Sequence, residues 1–292
     1  MTECTSHTFK DGICQNDNCS FRSSEDDFRF DDKKHAYFLN GKPMLGCTSV
    51  LGVIAKPALV PWAARMAVDY LVQVGKPYYG PNDDLVDHYI VNGEQLDAAK
   101  TAHRRKKEDA AEKGTDLHEL VEKWVGVCIA GNAGQPLPKG NNWVGEEEYA
   151  PIAPFIEWAR KEQIRFIATE QRLYSKALWV AGTCDLIFEK NGKRYIGDIK
   201  TYKKIWDRVP LIQCAGYSIM YEEMNALHDK FPSGDTLHSV DPAHEIDGYC
   251  VICLPKERAF NEAEDVLWSF DPEAEKQAFI SAVKLYKYLN QN

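Results

Sequence analysis

"AGTCDLIFEKNGKRYIGDIKT", residues 181–201, sets an Asn-Gly pair between two runs of strand-forming residues. Asn-Gly tolerates positive φ at both central positions of a type I′ turn, whose twist matches that of two antiparallel strands. If Asn191 and Gly192 are a two-residue loop, Lys190 opposes Lys193. Counting back then pairs Glu189 with Arg194, Ile187 with Ile196 and Asp185 with Asp198. Directly opposed residues share a face with Cβ atoms about 4.5 to 5.5 Å apart, and the period of two puts Lys200 on that face as well. Two carboxylates so close repel, each raising the other's pKa, unless a cation lies between them.

An acid-x-lysine pattern alone is weak. The chain holds three, Asp31-x-Lys33, Asp32-x-Lys34 and Asp198-x-Lys200, and only the third has an opposed acid across a turn. Two aspartates with carbonyl and water oxygens suit a hard cation, Mg²⁺ or Mn²⁺, better than Zn²⁺, which favours nitrogen and sulfur. Such an ion polarises a phosphoryl oxygen and lowers the pKa of a bound water, and an adjacent lysine counters developing negative charge. The constellation fits phosphodiester hydrolysis. The bland alternative is a surface hairpin with scattered charges.

The whole chain permits this chemistry. At 292 residues with 44% hydrophobic content it can bury a sizeable core. No run of about 18 apolar residues is present to span a bilayer, and "MTECTSHTFKDG" lacks the apolar stretch of a signal peptide. The expected compartment is therefore the cytoplasm, the host's if the chain is phage-encoded, with no membrane partner. Cys47, Cys128, Cys184, Cys214 and Cys250 stand singly in apolar or mixed stretches and read as buried thiols. A net charge of -9 argues against indiscriminate coating of polyanions, but positive charge concentrates locally in "HRRKK" (103–107) and "KTYKK" (200–204).

Along the chain, residues 1–26 form a Cys-rich appendage. Residues 27–140 hold a hairpin turning at Asn40-Gly41 and then a mainly helical stretch from Thr48 to about Gly131, interrupted at Gly114. Residues 141–292 follow the order α-β-β-β-α-β, closed by a strand "EDVLWSF" and a helix that starts at Asp271-Pro272. The expected fold class is α/β (α+β): a mixed central sheet flanked by helices, with a helical cover.

In four pieces the sequence resembles the PD-(D/E)xK nuclease superfamily, and within it the RecB-like exonucleases, including the mitochondrial genome maintenance type. They are "KGTDLHELVE" (113–122), "TEQRLYS" (169–175), "AGTCDLIFEKNGKRYIGDIKT" (181–201) and "QCAGY" (213–217). The resemblance implies a restriction-endonuclease-like core and a metal-dependent DNA exonuclease, using a metal-activated water in recombination, repair or phage replication. It implies His118, Asp185, Asp198 and the carbonyl of Ile199 as metal ligands and Lys200 as the catalytic lysine. Gln213 and Tyr217, four apart on one helix face, would hold substrate and catalytic groups, and Glu170 would support the site or a second metal. A structure-specific endonuclease on the same core and a non-catalytic DNA-binding recombination partner remain alternatives, since fold does not set substrate topology. DNA is the implied partner, with a single-strand-annealing or recombination protein beside it.

Lys203, Lys204 and Arg208, just past the catalytic lysine, are candidates for DNA contact, as are Arg104 and Arg105, whose alternative is a solvated helix face. Trp62 reads either as a stacking residue or as core. At the start, Cys4, His7, Cys14 and Cys19 offer four soft ligands in 16 residues. They would make a structural zinc knuckle or a Cys-bearing tail. The iron-sulfur cluster of some RecB-like nucleases is not expected, because no cysteine follows Cys253.

Overall fold

The computed structural model describes residues 9–10, 13–14, 26–54, 59–80, 86–138, 148–202, 204–230, 245–255 and 258–290. Cys4, His7, Cys19 and Lys203 lie outside the described residues. Two short strands come first, β1 (Phe9–Lys10) and β2 (Ile13–Cys14), paired antiparallel. Then β3 (Phe28–Asp31), β4 (Ala36–Leu39) and β5 (Lys42–Pro43) form a three-stranded antiparallel sheet. Its second turn has Asn40 and Gly41 at φ 51° and 75°, as an Asn-Gly hairpin requires. Next come β6 (Leu45–Gly46) and the short helix α1 (Cys47–Val50).

The stretch expected to be mainly helical is so, but a hairpin interrupts it. Helix α2 (Leu59–Val74) leads into a hairpin of β7 (Lys76–Tyr79) and β8 (Val86–Ile90), followed by α3 (Gly93–Lys100) and α4 (Ala102–Asn132). The paired strands are built from Tyr, Val and Ile, so β propensity wins there over the helical flanks. The expected break at Gly114 is absent too, because α4 runs through it. One glycine costs a helix only about 1 kcal/mol, which the residues on either side offset.

The remaining elements are α5 (Ala153–Lys161), β9 (Arg165–Ser175), β10 (Val180–Lys190), β11 (Lys193–Lys200), α6 (Val209–Lys230), β12 (Gly248–Cys253), α7 (Glu262–Asp265), β13 (Val266–Trp268) and α8 (Pro272–Leu289). The protein has a mixed α+β fold. Its central sheet runs β13-β12-β11-β10-β6, with β9 also paired to β10. β11 with β12 and β10 with β6 are parallel, and the other pairs are antiparallel.

Helix α6 carries the chain from β11 to its parallel neighbour β12, the connection such a pair needs. It packs on the sheet, and α8 packs on it. Buried between two layers, α6 is apolar on several faces, with Leu211, Cys214, Ala215, Met220 and Tyr221 all enclosed. The start of α8 follows the sequence: Asp271 accepts the amide of Ala274 and Pro272 occupies the first turn. Cys47, Cys128, Cys184, Cys214, Cys250 and Cys253 are buried free thiols. No helix among the described residues is long and apolar enough to cross a membrane.

Contacts divide the chain into two units, residues 1–53 with 120–292, and residues 54–119. In the second unit, Asn92 and Gln95 form a reciprocal capping box at the start of α3, and the Gln95 side chain also donates to the Val74 carbonyl that ends α2. In the first, Trp124 meets Phe155 and Phe166 edge-on at 5.8 and 5.7 Å, a favoured aromatic geometry.

The hairpin that carries the sheet's centre is tied down by charge. Arg194 is buried, donating to the Tyr221 hydroxyl at 3.0 Å and to Glu189 at 3.1 Å, and Glu189 also takes Arg165. Breaking a buried ion pair from one side leaves the other charge uncompensated, at about 3 to 5 kcal/mol. Glu189→Ala should therefore lower the free energy of unfolding in urea by an amount of that order, and with it the midpoint, whereas Lys193→Ala, at an exposed position on the same hairpin, should leave both unchanged. Equal midpoints for the two variants would remove this role from Glu189.

Candidate metal and catalytic site

Asn191 and Gly192 sit at φ 53° and 73°, and Lys190 pairs with Lys193, so the register counted from the sequence is the one observed. The ladder runs back to Leu186 opposite Gly197, one step short of Asp185 and Asp198. At that end the Asp185 carboxylate turns to the backbone and accepts the Ile199 amide at 2.7 Å, while the Thr169 hydroxyl donates to the Asp185 carbonyl at 3.0 Å. Burial pushes the Asp185 carboxyl above its ordinary range, against the opposing pull of Lys200 and the Ile199 amide.

On the other side of β10, the β9 ladder pairs Gln171 with Cys184 and Thr169 with Leu186, skipping Glu170 and Asp185 between them. Glu170 has φ 48°, the left-handed region that an L-residue enters at a steric cost. A kink of this kind re-aims a side chain. His118 on α4, Glu170 and Asp185 offer one nitrogen and two carboxylate oxygens that all lie within 4.8 Å of one another, each residue half-buried. Burial, and then the charge of Asp185, push the Glu170 carboxyl up to about 7. Three convergent donors, two of them acids, one of which raises the other's pKa, are a group that can hold a metal ion.

Asp198 is engaged differently. It is buried on β11, and both its oxygens meet the Lys200 ammonium, at 2.8 and 2.6 Å. Burial alone would lower the Lys200 pKa, but the charges of Asp198 and Asp185 outweigh it and hold the ammonium above its ordinary value. The lysine therefore stays charged. On its far side stands Gln213 of α6, with Oε1 at 3.5 Å, and the Gln213 amide nitrogen lies 2.8 Å from the Tyr217 hydroxyl. Tyr217 is buried, its ring lying against Gly182 of β10, where an added Cβ would come within 2.6 Å of Cε1. The glycine is the space the tyrosine occupies.

The other expected contacts are scattered. Lys204 is exposed, with its ammonium 4.2 Å from the centroid of Trp206. Arg208 pairs with Glu275 at 2.8 Å and lies over Phe270. In the second unit Arg104 is exposed, whereas Arg105 lies over the Tyr70 ring and donates to the Ala98 carbonyl. Trp62 is half-buried, edge-on to His103. Sequence reasoning gave Glu170 a supporting part, and it stands in the three-residue group itself. No turn signal fixes the β9–β10 register, so its place opposite Asp185 could not be counted. Comparison with protein-family models and with curated proteins gives no match to this chain.

Titration calorimetry with Mn²⁺ should find one saturable site, weakened at least about tenfold in Asp185→Asn, since even outer partners of metal ligands are worth that much. Unchanged binding in that variant would dismiss the cluster. Gly182→Ala should cost about 1 to 3 kcal/mol in urea unfolding by driving a methyl into the Tyr217 ring. Paired with Tyr217→Leu it should lose less than the sum of the two single changes, and strict additivity would mean the contact is not felt.

Proposed function

We propose that the chain is a metal-dependent deoxyribonuclease of the PD-(D/E)xK type, an exonuclease of the RecB-like kind, hydrolysing phosphodiester bonds in DNA. One observation supports the reading: Lys200, its pKa held above the ordinary value, is clamped by Asp198 within the field of Asp185, at the end of a hairpin turned by Asn191-Gly192. A structural ion pair has no need of a second, half-buried acid nearby, or of Gln213 and Tyr217 in file behind it.

The ligands would be His118, Asp185 and Glu170, with Asp198 and the Ile199 carbonyl close at hand on β11, and the oxygen-rich set favours Mg²⁺ or Mn²⁺. Bound there, the ion would polarise a phosphoryl oxygen and acidify a water. The chain's own groups do the rest. Lys200 presents a positive charge to the phosphate as negative charge builds on its oxygens, and its direction is fixed by Asp198 and Gln213 so that little reorganisation is needed. Tyr217, locked against Gly182, keeps Gln213 in place. Thr169 and the Ile199 amide orient Asp185 from both sides.

End-labelled linear DNA should be degraded with Mg²⁺ or Mn²⁺ and spared with chelator. Asp198→Ala and Lys200→Ala should each lose about 10² to 10³ in rate, as removal of a single charge-stabilising group does. Closed circular DNA should survive: its cleavage would replace the exonuclease with an endonuclease, and intact linear DNA bound without cleavage would replace both with a recombination partner.

A further inference from the structure

Beyond Lys200 the chain leaves β11 through a segment, residues 201–208, in which aromatic and basic residues alternate: Tyr202, Lys204, Trp206 and Arg208. Trp206 is 71% exposed and Tyr202 47%. Phe270, just past β13, is 80% exposed, and the guanidinium carbon of Arg208 lies 3.9 Å from its ring centroid. Two exposed rings thus each carry a cation on one face, Lys204 on Trp206 and Arg208 on Phe270. An exposed tryptophan is expensive to leave in water and is not needed by the core, which closes without it. Asp207 is occupied at the start of α6, accepting the Val209 amide at 2.9 Å, and Glu275 takes part of the Arg208 charge, so the lysine is the freer cation for an anion.

Rings that offer an open face, with cations in contact and one of them, Trp206, only six residues from Lys200, match the surface that single-stranded nucleic acid binds: bases stack on the rings and phosphates track the cations. Six residues span at most about 20 Å, so the strand need not run far to reach Lys200. A duplex keeps its bases stacked inside and cannot use such rings without unpairing. We infer that Trp206 and Phe270, each backed by its cation, form a stacking platform for the bases of a single DNA strand, so that the substrate reaches the site unpaired. This rests on the nuclease reading above for what happens to the strand, but not for its binding.

The full-length chain, in chelator so that nothing is cut, is titrated by fluorescence anisotropy with a labelled oligothymidylate and with a duplex of equal length. Trp206→Ala and Phe270→Ala should each weaken the single strand by about five- to hundredfold, the range measured for loss of one base-stacking ring. Trp206→Phe should retain most of the affinity, and Tyr288→Ala, an exposed aromatic on α8, should change nothing. Unaltered single-strand affinity in both alanine variants overturns the platform, as does an equal loss on the duplex. Self-association that disappears in Trp206→Ala while strand binding persists would also overturn it, assigning the patch to a second copy of the chain. Digestion of linear DNA with Mg²⁺ separates the two ideas. Degradation with Trp206-independent binding leaves the nuclease standing without its platform, and Trp206-dependent binding without degradation leaves the platform standing without the nuclease.

Discussion

Two acids, Asp185 and Asp198, stand just past the paired end of the β10–β11 hairpin, and the arrangement of the site follows from how the chain holds their charges. Three things make the pair tolerable. Lys200 lies against Asp198, the Ile199 amide bonds Asp185, and burial lifts the Asp185 pKa. None of these would meet if the hairpin slipped by one residue, because a one-residue shift sends every side chain to the opposite face. The Asn191-Gly192 turn is therefore a chemical constraint as much as a topological one.

Around that hairpin the supports are rigid where the chemistry would be and open beyond it. Helix α6 is held between sheet and α8, and it delivers Gln213 and Tyr217 from a layer with no room to move. Tyr202, Lys204, Trp206 and Asp207 beyond Lys200 are exposed to water. On the nuclease reading proposed above, a site fixed on strands and helix beside an exposed loop would separate placing a reacting group from gathering a flexible ligand.

Parts of this were legible from residues alone. Both Asn-Gly turns, the α-β-β-β-α-β order and the Asp271-Pro272 helix start rest on backbone preferences that act within a few residues, and each is seen in the structure. The β7–β8 hairpin was not read, because its Tyr and Val positions lie between stretches of strong helix formers whose pattern dominates a longer window. The place of Glu170 was illegible for another reason: it depends on the register of two strands joined by a loop without a turn signature, and on a backbone kink that no propensity favours. Trp206 and Phe270 were passed over because local pattern does not say which aromatics a core will leave outside.

The kink at Glu170 sets two demands against each other at one position. A left-handed backbone is most comfortable for glycine, so folding alone would favour a residue with no side chain there. The carboxylate that meets His118 and Asp185 needs the opposite. Position 170 is thus a point of stability-function trade-off, where selection for thermal robustness would strip out the acid first, and any redesign for hardiness should leave it alone.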